Sequence, residues 1–201
     1  MEAADWNIVI LGHWNRAILT PNWIAERIFE LPPGTPVDVL VPLDGFAPFQ
    51  VQNNGITVVP LPGQLLIQLG TPTKETLATG LSAMIRSVEA LPQTPFRACG
   101  INLRFVAAEP PAGLLERTRS ASEKLLSDAG YELRTRRRGE TLAFREGTLN
   151  IVADIPTAGE CRVTVNFDRQ ATSMQDIVAW LKNDPAEYIA EAAKVIGLLA
   201  D

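Results

Sequence analysis

Apolar and polar residues alternate with a period of two through much of this chain, and that alternation predicts strands. Asp5 to Gly12 is the first such run. Val37–Val41, Phe49–Gln52, Ile56–Val59 and Leu65–Leu69 follow, separated by turn signals at Asn53-Asn54-Gly55 and Pro62-Gly63. Further on, Ala98–Val106, Tyr131–Arg138, Thr141–Glu146, Leu149–Ile155 and Cys161–Asp168 read the same way, with Gly139, Gly147 and Gly159 in the turns.

Helical signals lie between these runs. Thr20-Pro21 supplies an N-cap and a first helical residue, for a helix that reaches about Glu30. Thr71-Pro72 opens a long helix whose Leu77, Leu81, Met84, Ile85, Val88 and Leu91 fall on one stripe. Pro110-Pro111 opens a helix that Gly130 ends. Ser173 caps another, which breaks at Asn183-Asp184-Pro185. Asp184 and Glu187 have the spacing of a capping box for the last helix.

Strand, helix, four strands, helix therefore occurs twice, once in residues 1–96 and once in 97–201. The Pro-rich stretch Leu91-Pro92-Gln93-Thr94-Pro95 is the seam. The fold class this predicts is α+β: a tandem β-α-β4-α pseudo-repeat with a curved antiparallel sheet and its helices on one face. In element order it resembles the TATA-binding protein family. The likeness is topological; none of that family's DNA-binding motifs is matched, and no functional residue carries over. The stretch from Leu91 to Phe105 also looks like segments of uncharacterised bacterial proteins.

Alternation assigns each strand residue to a face. Residues such as Ile8, Ile10, Val58, Ile67, Cys99, Leu103, Leu133, Leu142, Phe144, Val163 and Val165 pack under the helices. The opposite face of the first half carries Val9, Leu11, Leu40, Val59 and Leu66, an apolar patch of the kind that meets a partner or is covered by the chain itself. The opposite face of the second half is polar. Arg104, Arg134, Arg136, Arg138, Arg145 and Arg162 make it a candidate anion surface, since guanidinium groups fork onto oxyanions. Asn102, Asn150, Asn166 and Thr164 share that face.

The 201 residues carry a net charge of −5, unevenly spread. Residues 1–96 hold four basic and eight acidic side chains, whereas 97–169 hold twelve and ten. That balance argues against a general nucleic-acid binder. No apolar run approaches the ~20 residues of a membrane span, and the acidic N-terminus is unlike a signal peptide, so a cytoplasmic location is expected. Cys99 and Cys161 read as buried, reduced thiols. His13, the single histidine, has no partner constellation of a general base, and no phosphate loop, metal-ligand cluster or nucleophile motif is present. The expected function is non-enzymatic binding through the open sheet face, to a protein partner or a second copy, with no cofactor. A small-molecule or catalytic site on that face is the alternative, and nucleic acid stands third.

Overall fold

Nine antiparallel strands make one sheet in the computed structural model, which describes residues 1–43 and 48–200. They are β1 (Glu2–Gly12), β2 (Asp38–Leu40), β3 (Gln50–Asn53), β4 (Ile56–Leu61), β5 (Gln64–Leu69), β6 (Phe96–Ala107), β7 (Thr135–Phe144), β8 (Gly147–Pro156) and β9 (Cys161–Gln170). Their order across the sheet is β2-β3-β4-β5-β1-β6-β9-β8-β7. The first strands of the two halves, β1 and β6, pair at the centre, with a register shift between Ala3 and Trp6. Outward from each, the last strand of that half comes first and the others follow in reverse chain order.

The helices lie on one side. Thr20 caps α1 (Pro21–Trp23) by accepting a hydrogen bond from the Trp23 amide, and α1 runs straight into a π-helical turn at Ile24–Ile28. In α2 (Lys74–Ala90) the N-cap is Thr73 rather than Thr71. Thr73 and Thr76 form a capping box there. Leu77, Leu81, Met84 and Val88 are buried, each contributing about 1.5–3 kcal/mol of transfer free energy. A Cβ on Gly80 would stand 2.7 Å from Leu69 Cδ2 and 3.1 Å from Ile8 Cδ1, so the missing side chain is what lets α2 lie close on β1 and β5. Burial of Ile8, Ile10, Val58, Ile67, Leu103, Val163 and Val165 on the facing side of the sheet completes the core.

The second half departs from the expected pattern in three places. The segment after Pro111 forms two short helices, α3 (Ala112–Arg117) and α4 (Ser122–Asp128), instead of one. Between them the Thr118 hydroxyl donates to the carbonyls of Leu114 and Leu115, and the Ser120 amide donates to Glu123. These local bonds compete with the helix ladder. Three strands rather than four then follow, because β7 runs unbroken through Gly139, which pairs with Val152 without a register shift. The turn comes later, at Arg145, whose φ is +51°. After α5 (Met174–Leu181), capped by Ser173, Asp184 caps α6 (Pro185–Ala200) through the Ala186 amide. Glu187 does not close a box; it pairs with Arg145.

Candidate functional site: the open face of the sheet

Strand register places one residue from every strand in a single transverse row on the face away from the helices. The row reads Asp38, Gln52, Thr57, Gln68, Asn7, Asn102, Asn166, Asn150 and Thr141. Every member is polar. At its centre the side chains hydrogen-bond in series. Thr141 Oγ1 donates to Asn150 Oδ1 at 2.8 Å, Asn150 Nδ2 to Asn166 Oδ1 at 2.8 Å, Asn166 Nδ2 to Asn102 Oδ1 at 2.9 Å, and Asn102 Nδ2 to Asn7 Oδ1 at 2.8 Å. All four bonds point the same way, so the amide dipoles add and each bond polarises the next. The chain crosses the β1–β6 junction and ties the two halves together.

The neighbouring row changes character across the sheet. On the β4–β5–β1 side it holds Val59, Leu66 and Val9; beyond Gly100 it becomes Asp168 and Thr148. Gly100 leaves a gap in which a Cβ would stand 3.1 Å from Asn166 Nδ2 and 3.2 Å from Val9 Cγ1. Asp168 is half-buried and has no hydrogen-bond or ion-pair partner among the described residues; burial pushes its carboxyl above the usual range.

Of the five expected apolar-patch residues, four are available. Leu40 and Leu11 are exposed, at 51% and 39%, and Val9 and Leu66 are half-buried. Val59 is on the same side but only 4% exposed, already enclosed by its own chain. It therefore offers almost no surface to a partner.

The arginine surface is not one surface. Continuity of β7 fixes this. Leu142 pairs with Leu149 on the helix side, and an unshifted strand then puts Arg138 opposite Ala153 and Arg136 opposite Ile155 on that side too. Arg136 meets Glu123 of α4, and Arg138 meets Glu140 and the Arg117 carbonyl at the end of α3. Arg145, in the β7–β8 turn, lies over the Phe144 ring at 5.3 Å and pairs with Glu187 of α6. Arg134 precedes β7 and pairs with Glu132. Arg104 and Arg162 do face the open side. Arg104 pairs with Asp5 at 3.0 Å, and Arg162 has no ion pair among the described residues. Arg137, not Arg136 or Arg138, is the β7 arginine on the open face, paired with Asp154.

The remaining candidates fall elsewhere. His13 lines a 360 Å³ cleft at the seam and accepts from Arg97 Nη2 at 2.6 Å. Cys99 and Cys161 are free and buried, and burial pushes both thiols up. Trp6 and Trp14 are core anchors whose indole N–H groups donate to the carbonyls of Arg104 and Ile10. Among the described residues no group of three His, Cys, Asp or Glu side chains is placed to hold a metal, and no helix is long and apolar enough to cross a membrane.

Alternation along single strands does not reveal the amide row. Alternation puts Asn7, Asn102, Asn150 and Asn166 on the open face, but their alignment depends on inter-strand register. Comparison with known proteins finds no matching family model, no match among curated proteins and no matching solved structure.

Proposed function

We propose that this chain is a non-enzymatic binding protein that receives a polypeptide partner, or a second copy of itself, on the open face of the sheet. The observation that carries the reading is the composition of that face. A polar row spans the whole sheet, and beside it lie the exposed Leu40 and Leu11 and the half-buried Leu66 and Val9. Apolar side chains supply the contact free energy, and the row beside them supplies amide donors and acceptors matched to a peptide backbone. Burying Leu40 and Leu11 fully would contribute about 1.5–3 kcal/mol each at most, before association costs. That suits a modest affinity.

The two halves are read as a pseudo-repeat of the kind the element order suggested, with one strand fewer in the second. The support is the shared order outward from the central pair, β1-β5-β4-β3-β2 and β6-β9-β8-β7. Likeness to the TATA-binding protein family stays at this level. Its nucleic-acid activity is not part of the proposal, because most of the expected arginines are paired with carboxylates and several face the helices.

Sedimentation across a concentration series, with affinity capture under native conditions, tests the reading. Leu40→Arg places a charge on the strip without touching the core, so it abolishes self-association or loses the captured partner while the circular dichroism spectrum is kept. A protein that stays monomeric and captures the same proteins with and without the substitution would overturn the proposal.

A further inference from the structure

The directional amide chain ends in a cleft. Asn7 accepts from Asn102, and its own Nδ2 has no acceptor among the described residues. This end opens on a 440 Å³ cleft whose polar lining is Asn7, Thr57, Gln68, Arg104 and Asp5. Among the described residues Gln68 and Thr57 likewise have no side-chain hydrogen bond, and the Arg104 guanidinium is held only by Asp5, which is 77% exposed. An exposed ion pair of this kind is weak and readily exchanged.

We infer that this cleft is a binding site for a small carboxylate. Three neutral side chains able to donate and a guanidinium line one space with a single carboxylate, Asp5, which is already paired with Arg104, and the summed dipoles of the amide chain put its positive end at Asn7 Nδ2, much as a helix dipole does at its N-terminus. A carboxylate accepts only, carries the complementary charge and fits the guanidinium fork. It would take over Arg104 from Asp5, which the register shift in β1 holds beside that arginine. The site shares Asn7, Thr57 and Gln68 with the polar row of the proposed partner surface but none of its apolar residues, so substitution at Leu40 tests the two readings apart.

The test is a titration of the ¹⁵N-labelled protein with sodium acetate, with sodium chloride and acetamide as parallel probes, followed through the side-chain amide signals of Asn7 and Gln68. Saturable shifts with acetate, and not with chloride or acetamide, are expected. Asn7→Ala and Arg104→Met should each weaken acetate by about tenfold or more, the scale of one lost charge-assisted hydrogen bond. Leu40→Arg, which breaks the proposed partner surface, should leave the titration unchanged, so the two proposals fail separately.

Asn166→Asp is the sharper variant. An acceptor-only side chain at that position forces Asn102 to turn and donate to it. Asn7 must then donate to Asn102 and present its Oδ1 to the cleft. Acetate binding is lost, and the Asn7 amide protons show Overhauser contacts to Asn102 instead of Gln68. An equal response to chloride or acetamide, no saturable response at all, or undiminished acetate binding in Asn166→Asp would overturn the inference.

Discussion

Arg136 on the edge strand and Glu123 on α4 are joined by two parallel hydrogen bonds, Nε to Oε1 at 2.9 Å and Nη2 to Oε2 at 3.0 Å. This fork fixes a helix of seven residues that has no buried side chain of its own. Hydrogen bonding to Arg136 holds the Glu123 carboxyl below its usual range, and Glu123 raises Arg136. A carboxyl depressed by folding contributes stability above its unfolded pKa, and that contribution is lost as pH falls through the folded value.

It follows that α4 detaches from β7 in acid before the rest of the sheet opens. Amide exchange in 122–128 should accelerate as pH drops below the ordinary carboxylate range, after correction for intrinsic rates. Glu123→Gln should show the fast exchange already at neutral pH and lose the pH dependence. Arg136→Ala should do the same, whereas Arg134→Ala, at an exposed pair outside the strand, should not. Unchanged protection of α4 in Arg136→Ala would show that the fork does not anchor it.

Gly139 decides between a strand and a turn. As a turn residue it would resist substitution. In the structure it is mid-strand, outside the left-handed region, and a Cβ would come no closer than 4.0 Å to the Ile151 carbonyl oxygen. Gly139→Thr should therefore raise the urea midpoint. The expected gain is about 0.5–1 kcal/mol, since glycine is the costlier residue in a strand interior. A clear loss of stability would contradict an unbroken β7.

The same residue marks where the sequence ceased to be legible. The first half, α5 and the start of α6 have strong local signals: Asn54-Gly55 at a turn, Thr20 and Ser173 at caps, and Leu77-Leu81-Met84-Val88 at helical spacing. Each reports a local constraint. Gly139 carries no such information, because a glycine in a long edge strand and one in a hairpin look alike. A turn at Gly139 would break the phase between Arg138 and Leu142, whereas the unbroken strand puts Arg136 and Arg138 on the same face as Leu142 and Phe144. The amide row was hidden for a different reason. Asn7, Asn102, Asn150 and Asn166 lie far apart in sequence, and only the pairing of β1, β6, β9 and β8 aligns them.

Tyr188 sets an alkaline limit on stability. It is fully buried, its hydroxyl donates to the Trp180 carbonyl at 2.7 Å, and burial pushes its pKa to about 12. An unfolded tyrosine ionises near 10. Between these values the unfolded chain releases a proton that the native state keeps, so stability falls as pH rises through that window. Raised thiols at Cys99 and Cys161 act in the same direction. Tyr188→Phe should be less stable at neutral pH, through the lost hydrogen bond, yet show a shallower alkaline decline. Parallel curves for the two proteins across pH 10–12 would contradict this account.

Gly100 is predicted to respond oppositely to Gly139, although both are strand glycines. It lies on β6 opposite Val9 and Asp168, in the middle of the open face. A Cβ there would stand 3.1 Å from Asn166 Nδ2 and 3.2 Å from Val9 Cγ1. Val9 can yield by a small shift, but Asn166 cannot move freely, because its amide donates to Asn102 and accepts from Asn150. Displacing it strains two bonds of the series and leaves half-buried amides poorly paired. Gly100→Ala should therefore lower stability by about 1–3 kcal/mol, the range for overpacking a well-filled site. It should also shift the side-chain amide signals of Asn102 and Asn166 together. The loss should persist when Gly100→Ala is made in an Asp168→Asn background, because the added Cβ stands 3.1 Å from Asn166 Nδ2 but 3.9 Å from the Asp168 carboxylate. A Gly100→Ala protein as stable as the wild type, with both amide signals unmoved, would mean that the notch is slack and that the row is not held under the packing described.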